Sequence, residues 1–465
     1  MCRRVERGGT TSQSKTFIMP TFPLITHKRA DSVIAWRDGA PITAARFLSD
    51  VAQLSRMLPA GTHMLNACGD RYRFTVGLAA ALVSGKVSLL PSTQTSEMIR
   101  QLQQFAPDAF CLTDNADCAI ALPQMPFPAL ADAAGIQPFV VPHIADTQLA
   151  AYVFTSGSTG TPIPHRKSWG ALVRNVQAEA QLCGWNDGRQ HAIIGTVPPQ
   201  HMYGFESTVL VVMQSGNAMV TGQSFYPADI CSMIASAPRP RTLVSTPVHM
   251  RSVIHAGLDV PPTDLVVSAT APLSIALAEE LEARFHAPLL EIYGSTETGQ
   301  IAVRNSTATQ EWTLFRDVCL TQQDGVTWAS GGHVEKPVPM NDVIESVAAD
   351  RFLLHGRTAD LVNIAGKRNS LAYLNLQLNA IPGVRDGAFF MPDEVAADGV
   401  TRLTAFVVAP GLTAAAVLAA LRERVDSVFL PRPLVFVEAL PRNATGKLPR
   451  EALKELALAK GGHAA

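Results

Sequence analysis

The sequence predicts an α/β fold spread over more than one domain, and three observations lead there. The chain has 465 residues, 47% hydrophobic and 17% charged, enough for a sizeable interior but too many for one compact core. Short apolar runs alternate with helix-length segments over residues 31–135 and again over 192–300. That alternation marks βαβ units, which build a parallel sheet with helices on both faces. Residues 301–355 carry short β-like runs with turns, fitting a small barrel-like sheet, and a compact unit of strands and helices follows.

Residues 1–18 open on Met1-Cys-Arg-Arg, basic but without an apolar stretch, so they read as a disordered extension and no signal peptide, with Met19 a candidate start. Val33–Trp36 is a short strand, and Thr43 caps a helical pattern over Ala44–Met57. Met64–Cys68 reads as a strand, Phe74–Ser84 as a helix of small residues, and Val87–Pro91 as the next strand. Ser96 caps Glu97–Phe105, Ala109–Thr113 is a strand, and Leu149–Phe154 has the apolar run of a buried one. In the second stretch the strands fall at Ala192–Val197, Thr242–Ser245, Leu265–Ser268 and Leu289–Tyr293. A boundary falls near Gly356–Leu361, with no long Pro- or Gly-rich linker. Beyond it Asp386–Met391, Leu403–Val408 and Leu434–Val437 are strands and Ala414–Val425 a helix. The expected division is a large domain over 19–356, a short hinge at 357–361, a small domain over 362–456 and a tail at 457–465.

Composition excludes several classes. A net charge of −1 gives no global attraction to nucleic acid or an anionic membrane, so a phosphate-bearing ligand needs a local site. The longest apolar stretches are too short to span a bilayer; Phe74–Ser84, for example, lies between Arg73 and Lys86. Seven scattered cysteines with no C-x-x-C suggest free thiols in a reducing compartment, and the expected location is cytoplasmic. Neither a Walker A loop, nor G-x-S-x-G, nor a G-x-G-x-x-G after a strand occurs.

Phe154-Thr-Ser-Gly-Ser-Thr-Gly-Thr-Pro162 sets hydroxyl side chains among glycines directly after the apolar run. Glycines let the backbone turn and approach a ligand, and free N–H groups with hydroxyls make a nest for anionic oxygen. Alone, the stretch has a flexible Ser/Gly linker as its alternative reading. Three further segments lie downstream: Ile292-Tyr-Gly-Ser-Thr-Glu-Thr298, His355-Gly-Arg-Thr-Ala-Asp-Leu-Val-Asn-Ile-Ala-Gly-Lys-Arg368 and Leu440-Pro-Arg-Asn-Ala-Thr-Gly-Lys-Leu-Pro-Arg450. In this order the four segments resemble the signatures of the adenylate-forming superfamily, over roughly residues 25–455. The family includes acyl- and aryl-CoA synthetases, peptide-synthetase adenylation domains and luciferases. The resemblance implies a large N-terminal domain of βαβ subdomains plus a small barrel-like sheet, and a smaller mobile α+β C-terminal domain.

It also implies a two-step reaction. A carboxylate attacks the α-phosphate of ATP, giving an acyl-adenylate and pyrophosphate, and a thiol of CoA or of a carrier-protein phosphopantetheine then displaces AMP. By this resemblance Thr155, Ser156, Gly157, Ser158, Thr159 and Gly160 hold the β- and γ-phosphates. Ile163 stands where the loop lysine belongs, and Arg166 or Lys167 supplies the missing charge unless both are solvated. Glu297 matches the Mg²⁺ ligand, Thr296 the α-phosphate contact, and Tyr293, beside Gly294, the residue on the adenine face. Asp342, fifteen positions before Arg357, matches the ribose-binding aspartate. Ser268-Ala-Thr-Ala-Pro-Leu273 stands where the family has Ser-Gly-Gly-Ala-Pro-Leu: Ala269 and Thr270 replace the glycines, adding bulk where adenine and acyl group meet, and Thr270, Ala271 and Pro272 are implied nucleotide-binding positions. His201 lines the acyl passage, Lys447 is the mobile catalytic lysine, and Ala359 with Asp360 is the hinge. Gly366 leaves the pantetheine tunnel open, with Asn363 and Arg368 in the pattern of the acyl-CoA synthetase branch. The implied enzyme uses ATP and Mg²⁺ on an aryl or hydroxyacyl acid, with CoA or an acyl carrier protein as acceptor. The alternative is a degenerate member that binds nucleotide or acyl group without turnover.

Overall fold

The computed structural model describes residues 20–131, 139–156, 162–222, 226–357, 361–364, 367–392, 402–443 and 446–461. Two sheets dominate the large N-terminal domain. The first has six strands in the order Pro162–Ser168, Leu149–Ser156, Val87–Leu90, His63–Asn66, Phe110–Thr113, Gln124–Pro126. All neighbours run parallel except the first pair, which is antiparallel. The second sheet has eleven strands. Its parallel centre runs Leu289–Ser295, Leu265–Ser268, Arg241–Ser245, Ala192–Gly195, Ala218–Val220, Val33–Arg37. Gly299–Arg304, Trp312–Leu314, Arg351–Arg357 and Asp342–Ala348 extend one edge antiparallel. Val318–Gln323, Val326–Gly331 and Val334–Pro339 form a separate antiparallel sheet that packs with this edge around Phe352, Ile301 and Phe315.

The helix Arg71–Val83 explains how the two sheets join. Buried on nearly every side, it presents small and apolar residues all round, as a helix enclosed between layers must. Its first residue, Arg71, is fully buried and donates to the carbonyls of Gly195 and Val197, each at 2.9 Å, and to the Thr208 hydroxyl. The smaller C-terminal domain has its own apolar cluster, in which Leu374, Leu378, Phe389, Val417 and Leu421 are buried. Its three-stranded sheet runs Asp386–Phe390, Thr404–Val408, Leu434–Phe436. Among the described residues no helix is long and apolar enough to cross a membrane, and the six described cysteines are free.

The structure corrects several sequence boundaries. Val33–Arg37 belongs to the second sheet, paired with Ala218–Val220, and so is no part of the first βαβ stretch. The helix expected to begin at Phe74 begins at Arg71, because Asp70 accepts the Arg73 N–H as an N-cap. Thr95, not Ser96, caps the next helix. Among the strands not foreseen are Ala218–Val220, too short to register as a pattern, and Pro162–Ser168, whose prolines argue against a strand except at an edge, where it lies.

Candidate active site

The site gathers at one end of a hairpin made by Leu149–Ser156 and Pro162–Ser168. The loop residues Gly157, Ser158, Thr159 and Gly160 lie outside the described residues, as does the Ser156 side chain. Residues paired across antiparallel strands share a face. Thr155 pairs with Ile163, Val153 with His165 and Ala151 with Lys167, while Tyr152 pairs with Arg166 on the other face. Of the two basic residues left open by the sequence, Lys167 therefore lies on the Thr155 face. It is buried and donates Nζ to the Glu297 carbonyl at 3.3 Å, whereas Arg166 is exposed. His165 sits between them, its Nε2 2.9 Å from Thr155 Oγ1 and 3.7 Å from Glu297 Oε1. Burial lowers the pKa of both His165 and Lys167, opposed at His165 by Glu297 and at Lys167 by the carboxylates of Glu206, Glu297 and Glu335.

A second hairpin presents Glu297. Leu289–Ser295 turns into Gly299–Arg304 with a register shift at Tyr293/Gly294. A Cβ at Gly294 would stand 2.3 Å from the Gly299 carbonyl oxygen, so only glycine permits this approach. Ser295 and Thr298 lock the turn: the Ser295 N–H donates to Thr298 Oγ1 and the Thr298 N–H to Ser295 Oγ, both at 3.2 Å. Thr296 is left half-buried and Glu297 projects at the tip, with 43% of its side chain exposed. The hairpin rests on buried polar groups. Glu179 and Glu206 are each pushed up to about 8, first by burial. With its nitrogen facing the carboxyl, the Gln300 amide donates to Glu179 Oε1 at 3.2 Å and accepts from the Ser207 hydroxyl at 2.7 Å.

Tyr293 and Asp342 lie together. The Tyr293 hydroxyl donates to Asp342 Oδ2 at 2.7 Å, and its ring packs against Trp312 and Phe352 with centroids 5.6 and 5.8 Å away. The fifteen-residue interval from Asp342 to Arg357 becomes a direct cross-strand pair, although the Arg357 side chain is outside the described set. Thr270 has a φ of 78°, left-handed backbone that suits the glycine it replaces. A β-branched residue there costs about 1–2 kcal/mol, a strain of the kind held at functional sites. Ala271 is half-buried and Pro272 exposed beside it.

The small domain meets the large one at the Pro247–His255 helix. The Asn443 N–H donates to the Lys447 carbonyl and the Lys447 N–H to Asn443 Oδ1, both at 2.9 Å, forming a turn that carries exposed Lys447. Gly446, at φ 76°, lies on the start of the large-domain helix Pro247–His255: a Cβ there would be 3.0 Å from Val248 Cγ2 and 3.6 Å from Thr246 Oγ1. Lys447 thereby comes near His201, which precedes a π-helical stretch, Phe205–Leu210. The His201 pKa is lowered to about 4, by burial first and by the Lys447 charge second, and its buried Nδ1 has no hydrogen-bond partner among the described residues. Ala359, Asp360 and Gly366 lie outside the described residues, as do the side chains of Asn363 and Arg368, although these last two pair across a hairpin.

Sequence reasoning gave no role to His165, Glu179, Glu206, Asp386 or Arg442. Reading Pro162–Ser168 as a strand would have put His165 on the Thr155 face. The buried glutamates leave no such signal, since their partners are distant in the chain.

The AMP-binding enzyme family model matches residues 58–345 and the AMP-binding enzyme C-terminal domain matches 377–447. A 4-coumarate–CoA ligase of Rhodobacter capsulatus is 32% identical, over 65% of this chain and 76% of its own. A 2-succinylbenzoate–CoA ligase of Bacillus velezensis is 24% identical over 86% of each chain. Among solved structures, ATP-bound MatB from Rhodopseudomonas palustris superposes with a TM-score of 0.78 at 19% identity, covering 92% of this chain and 97% of its own, a likeness of fold. The chain belongs to the AMP-binding enzyme family, and so to the adenylate-forming superfamily of acid–thiol ligases.

Proposed function

We propose that this protein joins an aryl or hydroxyacyl carboxylic acid to a pantetheine thiol, of CoA or of an acyl carrier protein, through an acyl-adenylate. The observation that carries this reading is the approach of Lys447, from the small domain, to His201 and the Thr246–Val248 turn of the large one. In the first step a carboxylate oxygen attacks the α-phosphorus of ATP, and the bond to pyrophosphate breaks. Two anions must meet, so fixed cations and in-line positioning lower the barrier. Thr155 and its loop bind the β- and γ-phosphates, with His165 and Lys167 supplying the polarity that Ile163 cannot. Thr296 and Lys447 steady the α-phosphate and carboxylate oxygens, and Asp342, held by Tyr293, accepts from the ribose hydroxyls. Glu297, an exposed hard-oxygen donor, would hold Mg²⁺ together with phosphate oxygens, and the ion supplies charge neutralisation when bound. In the second step the thiol sulfur attacks the acyl carbon and releases its proton, the bond from that carbon to the phosphate oxygen breaks, and AMP leaves.

The relatives named above are CoA ligases for aryl acids, which favours that acid class, and none supports a binder without turnover. Ala269 and Thr270 add bulk where the family carries glycines, which favours a flat or short acid. ATP–pyrophosphate exchange against aryl, hydroxyaryl, 3-hydroxyacyl and straight-chain acids tests the proposal. Exchange with one of the first three classes is expected. Silence with all of them, in protein that binds ATP, refutes it.

A further inference from the structure

The turn that carries Lys447 is tied to the large domain through a shared carboxylate. Within the small domain, Arg442 donates Nε to Asp386 Oδ2 and Nη2 to Asp386 Oδ1, both at 2.7 Å, in a bidentate pair. The same guanidinium donates Nη1 to the Gly446 carbonyl at 2.9 Å, one residue before Lys447. From the large domain, Arg251 on the Pro247–His255 helix donates Nη1 to the Arg385 carbonyl at 3.0 Å and lies 4.0 Å from Asp386 Oδ1. The Arg251, Asp386 and Arg442 side chains are 23%, 19% and 20% exposed, shielded enough for their charges to be felt. Val248 on the same helix, one turn before Arg251, meets Gly446. One helix therefore grips the Lys447 turn at two points, by van der Waals contact at Gly446 and by charge at Asp386.

We propose that Arg251 is a positioning residue for adenylation. It touches neither substrate nor nucleotide, and acts through Asp386 and Arg442 to seat Lys447 against the site. This rests on the reading of Lys447 as the adenylation lysine. Because Arg251 acts only through Lys447, its loss should matter only while Lys447 is present, a coupling that a double-mutant cycle measures directly.

The test is pre-steady-state acyl-adenylate formation by wild type, Arg251→Ala, Lys447→Ala and the double variant, with thermal unfolding of each. Arg251→Ala is expected to slow adenylate formation about ten-fold, the scale of one half-shielded charge contact, and to leave the ATP KM within about two-fold. In the Lys447→Ala background the same change should cost less than about two-fold. Arg251→Lys, which keeps the charge but not the planar fork, should recover part of the loss. An equal loss in both backgrounds, or no loss in the first, overturns the role of Arg251 while leaving the adenylation reading intact. Should Lys447→Ala itself form adenylate at the wild-type rate, that reading falls and the inference with it.

Discussion

Glu179→Gln should make this protein more stable at neutral pH and leave it unchanged in acid. Glu179 is fully buried on the Trp169–Leu182 helix, with the Gln300 amide and the Ser207 hydroxyl as its polar neighbours. Burial, with Glu206 adding to it, pushes the carboxyl from 4.5 up to about 8. At pH 7 the folded protein therefore carries Glu179 as the neutral acid, while the unfolded chain carries it ionised. A folded pKa that is raised for an acid means stability is fully present below 4.5 and is lost as pH rises towards 8. Two and a half pH units at about 1.4 kcal/mol each make that loss about 3 kcal/mol at pH 7. Glutamine keeps the shape of the neutral acid and does not titrate, so the variant should regain most of that amount at pH 7 and almost nothing at pH 4.5.

Thermal unfolding of both proteins at pH 7.0 and pH 5.0 is the assay. A domain of this size shifts by about 1–2 °C per kcal/mol, so a rise of about 4 °C is expected at pH 7.0 and of about 1 °C at pH 5.0. A drop in Tm at pH 7.0 would mean that the carboxylate is ionised and engaged in the native protein. A rise of equal size at both pH values would point to packing and refute the protonation argument.

Lys447→Ala should reduce ATP–pyrophosphate exchange by about 100-fold or more, the scale of losing one transition-state charge contact, with Tm unchanged because the side chain is exposed. Exchange at the wild-type rate would remove Lys447 from adenylation. Asp342→Ala should raise the ATP KM about ten-fold, with Tyr293→Phe giving a smaller rise, since the phenol only orients the carboxylate. An unchanged KM in both variants would take the ribose away from Asp342. The pH–rate profile should show no limb from His201 near 6.5, because its folded pKa is about 4. Burial accounts for most of that depression and Lys447 for the rest, so Lys447→Ala should raise the His201 value, read by NMR of the imidazole. A limb near 6.5 that vanishes in His201→Gln would contradict the buried, neutral histidine.

The sheet strands were legible because burial on both faces writes a continuous apolar run, as at Leu265–Ser268 and Phe110–Thr113, both buried throughout. Thr43 was legible as a cap because a hydroxyl immediately precedes an amphipathic run. Which sheet a strand joins was not, since Val33–Arg37 pairs with Ala218–Val220 across most of the domain. The Asp342–Arg357 interval was readable from the resemblance and has a structural meaning in strand register. The Arg251–Asp386–Arg442 contacts had no sequence signal, because each residue alone is an ordinary surface charge and only the docking of two domains brings them together.

The departure at Ile163 is best understood through the protonation of the groups beneath the Glu297 hairpin. An ionised Glu179 and Glu206 would set two negative charges under a site that must gather a polyphosphate and a carboxylate. Burial pushes both acids up to about 8 and so disfavours those charges, as it lowers His201 and His333 to about 4. Less negative charge then lies beneath the hairpin, while Glu297 and Glu335 still face Lys167. Lys167, on the Thr155 face, is anchored to the Glu297 carbonyl, so its charge acts on the site from below rather than by contact. Fixed charge in a shielded setting needs no reorganisation when the reacting anions arrive, which is the form of electrostatic help that costs a catalyst least. On the function proposed above, contact is left to Lys447, whose turn meets the Pro247–His255 helix at Gly446, and docking of the small domain would complete the adenylation site.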